Sequence, residues 1–232
     1  MIPAFNEATR LPPYLDQIVE FFEGRGEPYE VVVIDDASTD ATGEMLRAVA
    51  ARQPALRVIS HDVNHGKGGA VRAGMLAARG DFRLFTDADG ATPIAELKRL
   101  EPVLAAGADV VIGSRMVADP SVSVRTRPHR VLAGRVFNRL VAILGLHGIA
   151  DTQCGFKAFT AAATERLFRP LETSGFGFDV ELLLRARAAG MRIVEVAVNW
   201  ADQPGSKVRV LTTGPGMVLD IVRARWRIGR TR

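Results

Sequence analysis

Short, unbroken apolar runs alternate along the chain with stretches in which apolar residues recur at helical spacing. Glu30–Val31–Val32–Val33–Ile34 reads as a buried strand that stops at Asp35 and Asp36, and Asp40 to Ala51 reads as a helix. Leu56 to Ser60 is the next strand. A glycine-bearing turn, Asn64–His65–Gly66–Lys67–Gly68–Gly69, leads into a helical pattern of Val71, Gly74, Met75 and Ala78, with Gly80 placed to stop it. Phe82 to Thr86 reads as a strand, Thr92 and Pro93 as the cap and first residue of a helix reaching about Ala106, and Asp109 to Gly113 as another strand. Beyond Ser114 the alternation gives way to a polar stretch, Pro120 to Pro128, and a helix from about His129 to Leu146, together resembling an inserted substrate-binding region. Cys154 to Thr160 and Arg192 to Val198 read as extended, with helices near Ala161–Phe168 and Phe178–Ala189 between them. This order predicts an α/β fold with a mostly parallel sheet.

In such a sheet the C-terminal ends of the strands share one edge, where ligands bind. Polar residues gather at those ends: Asp35 and Asp36, Asp87 and Asp89, Ser114 and Arg115. Asp87–Ala88–Asp89 sets two carboxylates at i, i+2 on a loop, a pair able to hold Mg²⁺ or Mn²⁺ against a leaving diphosphate. Solvated carboxylates at a strand end are the plain alternative. Pro3–Ala4–Phe5–Asn6–Glu7 and Asp35–Asp36–Ala37–Ser38–Thr39–Asp40 have the polar reach to hold a base or ribose, and each could instead only cap a helix. Their appearance together with Asp87–Ala88–Asp89 favours a ligand site.

Composition narrows the class. The 232 residues, 47% hydrophobic and 24% charged, fit one globular domain with a sizeable core. The single cysteine, Cys154, excludes an intrachain disulfide and a multi-cysteine metal site, so a reducing, cytoplasmic setting is expected. No apolar run reaches the roughly 18 to 20 residues of a bilayer span, the best being Leu140 to Ala150 with His147 inside it, and no secretory signal is evident. The net charge of +4 is a C-terminal property: from Asp202 onward Lys207, Arg209, Arg223, Arg225, Arg227, Arg230 and Arg232 face Asp202 and Asp220, seven minus two giving an excess of five.

The order Ile2-Pro-Ala-Phe-Asn-Glu7, Asp35-Asp-Ala-Ser-Thr-Asp40, Asn64-x-Gly-Lys-Gly-Gly-Ala70, Asp87-Ala-Asp-Gly-Ala-Thr92 and Gly113-Ser-Arg115 resembles glycosyltransferase family 2. Asp151-Thr-Gln-Cys-Gly-Phe-Lys157, Phe178-Asp-Val-Glu-Leu182, Glu195-Val-Ala-Val-Asn-Trp200 and Gly205-Ser-Lys207 look like the dolichyl-phosphate β-glucosyltransferases within the polyprenyl-phosphate sugar synthases. The resemblance covers nearly the whole chain and implies a GT-A fold. It divides the chain into residues 1–210, with a nucleotide-sugar half (1–113) and an acceptor half (114–210), followed by a basic amphipathic helix (211–232).

The activity implied is transfer of glucose from UDP-glucose, with Mg²⁺ or Mn²⁺, to a polyprenyl phosphate, inverting the anomeric centre. A phosphate oxygen is already ionised near neutral pH, so the nucleophile needs positioning more than deprotonation. By this resemblance Asp87 and Asp89 hold the metal, and Pro3, Ala4, Asn6, Glu7, Asp36, Lys67 and Ala88 join them in holding the nucleotide-sugar. Arg115, Arg130 and Lys207 are the catalytic cations on the acceptor phosphate, with Arg125 and Arg127 nearby. Asp151 and Gln153 are sugar-binding candidates, with a buried structural network as the alternative, and Asp179 is another, with a carboxylate that simply favours the helix dipole as its alternative. Ala91 stands where mannosyl members often carry glutamine, which favours glucose over GDP-mannose as the source of the sugar. Only Met1 and Ile2 precede the first motif, where relatives have a full strand; either the recorded start is late or the fold has adapted.

A lipid acceptor implies work at the cytoplasmic face of a membrane. Val131, Leu132, Val136, Leu140, Ile143 and Leu144 form one apolar stripe, and Met217, Val218, Ile221, Val222, Trp226 and Ile228 another among the C-terminal arginines. Both resemble interfacial helices drawn to anionic lipid, and packing on the core is the alternative. Rival readings are a family 2 enzyme with a soluble acceptor, a nucleotidyltransferase, opposed by the lack of a glycine- and arginine-rich triphosphate loop, and a nucleotide-binding module. The metal carboxylates argue against a nucleic-acid partner.

Overall fold

A computed structural model describes residues 1–126, 139, 141–143, 145–203 and 210–230, with side chains in the last helix for 216–229. The central sheet is laid down in parallel from β1 (Ile2–Ala4), β2 (Val31–Asp35) and β3 (Leu56–Ser60), with Ile2 opposite Val33 and Val33 opposite Val58. Backbone bonds of Met1 to Leu84 O (2.7 Å) and from Thr86 N (3.0 Å) tie β1 to β4 (Phe82–Thr86). The sheet then runs through β7 (Phe156–Thr160) to β5 (Val110–Ser114) and β8 (Ile193–Ala197). Of these strands only β7 is antiparallel to its neighbours, with Thr86 opposite Phe156 and Phe82 opposite Thr160.

Strand residues point alternately to two apolar layers. Val111 packs with Leu11, Tyr14, Leu15 and Ile18 of α1 (Leu11–Glu23) and Leu100 and Leu104 of α4 (Leu97–Ala105). Val110 and Ile112 pack on the other face with Val71 and Met75 of α3 (Gly66–Ala77), Leu167 of α5 (Ala161–Phe168) and Leu182 of α6 (Phe178–Ala188). Helix α2 (Thr42–Ala50) covers β3 through Leu46 and its neighbours. Apolar layers thus cover both faces of the sheet, which is why its most buried strands, β2 and β5, open as unbroken apolar runs.

Several local expectations change. Pro93 is extended (ψ 141°), so Thr92 caps nothing; a 3-10 turn, Ile94–Glu96, precedes α4 and Thr92 O accepts the Tyr14 hydroxyl at 3.1 Å. Helix α3 already starts at Gly66 and ends at Ala77, where Ala78 turns extended, so Gly80 is not its stop. The expected polar stretch contains β6 (Val124–Arg125), which pairs with β9 (Trp200–Ala201). The helix expected over 129–146 lies mostly outside the described residues.

The C-terminal helix α7 (Val210–Arg230) packs along α6 and starts one residue before the boundary expected at 211. Its apolar stripe is divided between two faces. Ile221 and Ala224 are buried in the core and Ile228 packs on it, so these are not lipid-facing. Leu219, Val222 and Trp226, spaced i, i+3, i+7 on the opposite side, are 50%, 47% and 60% exposed. Gly145 lies against Arg225, and the nearby Ile143 is 70% exposed. No helix among the described residues is long and apolar enough to cross a membrane.

Candidate active site

The loops after β1 and β2 lock together. Asn6 (φ 54°) and Ala37 (φ 59°) both adopt left-handed backbone, uncommon for residues other than glycine and costly for alanine. Asn6 Oδ1 accepts the N–H groups of Thr39 (2.8 Å) and Asp40 (3.3 Å), and Asn6 N–H donates to Ser38 Oγ (3.0 Å). This fixes the loop that carries Asp36. Asp36 is buried; its Oδ1 lies 2.7 Å from His61 Nδ1 and accepts the His65 N–H at 2.9 Å. Ala4 and Ala88 are buried in the core and Pro3 is half-buried in β1, and the Ala4 carbonyl is committed to Asp36 N–H (2.8 Å).

Glu7 does not face outward to a ligand alone: it grips Arg10 through two bonds of 2.8 and 2.6 Å. Arg10 Nη1 in turn lies 3.9 Å from Asp89 Oδ2, linking the first loop to the carboxylate pair after β4. Asp89 Oδ1 accepts the Ala91 N–H at 3.1 Å. Burial, and then the neighbouring Asp87 charge, hold the Asp89 carboxyl above the usual carboxylate range, against the pull of Ala91 N–H, Arg10 and Lys67.

Asp87 is clasped from two sides. Lys67 Nζ lies 2.7 Å from its Oδ1, and Gly155 lies directly beneath the carboxylate, where a Cβ would collide with both oxygens. Burial works against the Lys67 charge, but the Asp87, Asp179 and Asp89 carboxylates outweigh it and raise its pKa. The glycines around Lys67 serve packing. A Cβ at Gly66, where φ is +76°, would stand 2.6 Å from Ser174 O, and Gly68 N–H donates to that same oxygen at 2.7 Å. These contacts fix the first turn of α3 and carry Lys67 past the rings of Phe176 and Phe178, 5.8 and 5.9 Å away.

Across the site, Arg115 makes three bonds to Asp151: from its backbone N–H (2.9 Å), Nε (2.7 Å) and Nη2 (2.7 Å). Asp151 has no exposed surface, and its N–H and that of Ala150 are held by Glu195. Asp151 therefore orients Arg115, which fits the buried structural network given as the alternative to sugar binding. Burial alone would raise the Asp151 carboxyl, but the Arg115 bonds and charge hold it below its usual range. Arg115 also stacks over Trp200 at 5.4 Å. Asp179 is likewise buried and is paired with the fully buried Lys157 Nζ at 2.5 Å, which also donates to Cys154 O at 2.6 Å. Gln153 remains a sugar-binding candidate, because its buried Nε2 has no hydrogen-bond partner among the described residues. Burial pushes the Cys154 thiol up to about 12, which makes it an inert core residue.

Of the cations expected on an acceptor phosphate, Arg115 lies at the sheet edge and Arg125 is exposed in β6. Arg127, Arg130 and Lys207 lie outside the described residues. Three participants were not singled out by sequence: Arg10, three residues after Glu7 as an i, i+3 pair; His61, immediately after β3; and Gly155, inside the Asp151–Lys157 block.

The donor set fits Mg²⁺ or Mn²⁺. Among the described residues no group of three or more His, Cys, Asp or Glu gathers at one point, so Asp87 and Asp89 would supply only part of the coordination. A hard cation held by one or two carboxylates completes its shell with phosphate oxygens and water.

A family model described as Glycosyl transferase family 2 matches residues 1–168. The dolichyl-phosphate beta-glucosyltransferase of Dictyostelium discoideum is 37% identical over 240 residues, covering 98% of this chain and 73% of that protein. The protein of the same name from Homo sapiens is 35% identical over 252 residues, covering 100% and 78%. Among solved structures, glucosyl-3-phosphoglycerate synthase from Mycobacterium tuberculosis with phosphoglyceric acid aligns with a TM-score of 0.73 at 22% identity, covering 98% of this chain and 78% of that one. Its complex with Mn²⁺, uridine-diphosphate and phosphoglyceric acid gives 0.69 at 22% identity, covering 98% and 76%. These two alignments establish a shared fold, the GT-A arrangement.

Proposed function

The chain belongs to glycosyltransferase family 2 and is a hexosyltransferase, and from that premise we propose that it moves glucose from UDP-glucose to a polyprenyl (dolichyl-type) phosphate with inversion at the anomeric carbon. The observation that carries this reading is the pairing of Asp87 and Asp89, flanked by Lys67 and Arg10, with a guanidinium, Arg115, as the oriented group across from them. A site with a cation there suits a nucleophile that arrives already charged.

Residues 1–113 act as the donor half. Asp36, oriented by His61 and His65, receives the base or ribose, while Lys67 and Arg10 face the diphosphate. Asp87 and Asp89 would hold a divalent cation, whose charge would neutralise the departing UDP. Residues 114–210 act as the acceptor half: Arg115, locked by Asp151, aligns the acceptor phosphate with the anomeric carbon, and Arg130 and Lys207 join it, with Arg125 and Arg127 on the approach. Gln153 donates its amide N–H to a sugar hydroxyl. Ala91, buried and bonded through its carbonyl to Ala201 N–H, leaves a small wall beside the sugar and suits glucose.

The outer face of α7, with Leu219, Val222 and Trp226 beside Arg223, lies on anionic lipid, so that the enzyme works peripherally at the cytoplasmic face.

The direct test is incubation of the protein with a short polyprenyl phosphate, a divalent cation and either UDP-glucose or GDP-mannose, with products identified by mass. A glucosyl polyprenyl phosphate, lost in Asp89→Asn, is expected. Mannosyl product replaces the donor assignment, transfer to soluble sugars alone replaces the acceptor assignment, and tight nucleotide binding without transfer leaves only a binding module.

A further inference from the structure

The two metal-site carboxylates each face a cation of the chain itself. Lys67 Nζ sits 2.7 Å from Asp87 Oδ1, and a Cβ at Gly155 would collide with both oxygens of that carboxylate, Oδ2 the nearer. Arg10 Nη1 is 3.9 Å from Asp89 Oδ2. We propose that Lys67 and a divalent cation compete for the Asp87 carboxylate, so that the metal is held firmly only when a diphosphate draws the Lys67 ammonium onto its own oxygens. Lys67 is then a positioning residue that makes metal and donor bind as a unit. This deepens the donor and metal assignment above and rests on it.

Charge and tether both lead there. Glu7 is taken up by Arg10 and Asp179 by Lys157, so a divalent ion arriving alone sets two positive charges beside Lys67 with only Asp87 and Asp89 to answer all three. At the short separations here, like charges repel strongly in a partly buried site. A diphosphate arriving with the ion supplies anionic oxygens to both. The ammonium is a compact charge on a flexible stem, able to pivot from carboxylate to phosphate. Its base is immobile, because Gly66 and Gly68 pack the first turn of α3 on the Ser174 carbonyl. Only the end of the side chain moves, past Phe176 and Phe178.

The test is calorimetric titration of Mn²⁺ into the protein with and without UDP. For the wild type, weak binding alone and tight binding with UDP are expected. K67M should bind Mn²⁺ alone about tenfold more tightly or better, since a neighbouring positive charge is gone. The gain that UDP brings should shrink by at least the same factor, because coupling between two ligands is reciprocal. K67R, which keeps the charge, should stay near wild type, and D89N should lose Mn²⁺ throughout, identifying the site. K67Q replaces K67M if the latter does not fold. A folded K67M or K67Q that binds Mn²⁺ alone no more tightly than wild type overturns the competition and leaves the donor assignment standing. Failure of the wild type to bind Mn²⁺ even with UDP overturns both.

Discussion

Gly155→Ala places one methyl group under the Asp87 carboxylate. The new Cβ would stand 2.6 Å from Oδ1 and closer still to Oδ2, whereas relaxed non-bonded contacts fall near 3.5 Å. Something must therefore shift by about 1 Å. The backbone is poorly placed to yield, since Asp87 N–H donates to Gly155 O at 3.0 Å and the next residues, Thr86 and Phe156, face each other in the β4–β7 ladder. The carboxylate moves instead, off Lys67 and away from where a cation and the diphosphate must meet. A misplacement of about 1 Å costs on the order of 100-fold in rate, or about 2.7 kcal/mol of barrier. Overpacking should cost about 1–3 kcal/mol of stability, a loss visible in urea titration without unfolding the protein. The assay is glucosyl transfer at saturating Mn²⁺ and donor, beside Mn²⁺ affinity in the presence of UDP. Both should fall together, and G155A combined with D87N should be little worse than either alone because the two act through one carboxylate. A folded G155A enzyme turning over within threefold of wild type would refute the reasoning.

Three further outcomes are expected. K157M leaves Asp179 buried without its cation and should lose about 3–5 kcal/mol in urea titration, part of it regained on adding D179N; a loss under about 1 kcal/mol would mean the pair is not buried as described. Because Asp151 is held below the usual carboxylate range, its stabilising contribution should be complete above the unfolded value of about 3.9 and disappear as pH falls through the lower folded value. Melting temperatures of wild type and D151N should therefore converge in strong acid and separate at neutral pH, and parallel curves would sink the assignment. Finally, L219S/V222S/W226S should reduce transfer on anionic vesicles far more than on a short, water-soluble polyprenyl phosphate; equal losses would show that this face serves the fold alone.

The parallel strands were legible because apolar residues dominate them, unbroken in Val31–Ile34 and Val110–Ile112 and interrupted only singly by Arg57, Arg83 and Glu195 elsewhere, and the edge rule then pointed to Asp36, Asp87, Asp89 and Arg115. Helix α1 was not seen because Pro12 and Pro13 look like a break, although proline is tolerated in a first helical turn and Leu11, Tyr14, Leu15 and Ile18 carry helical spacing. The β6–β9 ladder spans two residues per strand, too few for any period to register. The second partner of each charged group was the other hidden quantity. Nothing in the spacing of Asp151 and Arg115, or of Asp179 and Lys157, tells that they neutralise each other across 36 and 22 positions. Arg10 and His61 were hidden for the same reason. The sequence shows which groups lie at the edge, whereas pairing depends on how the loops fold back over it.

The reversed direction of β7 also governs when the site can exist during synthesis. When synthesis has passed Ser114, β4 and β5 have no direct contact to make: the strand that hydrogen-bonds both of them, Phe156–Thr160, has yet to be translated. Until it docks, two sheet edges stay unpaired and open to the wrong partner, a hazard that chaperones meet in late-closing folds. Because β7 runs backwards, its first residue arrives beside Thr86 and brings Gly155 under Asp87 in the same movement. The donor half proposed above, residues 1–113, is thus not a unit of folding, because the strand that brings Gly155 under Asp87 comes after it.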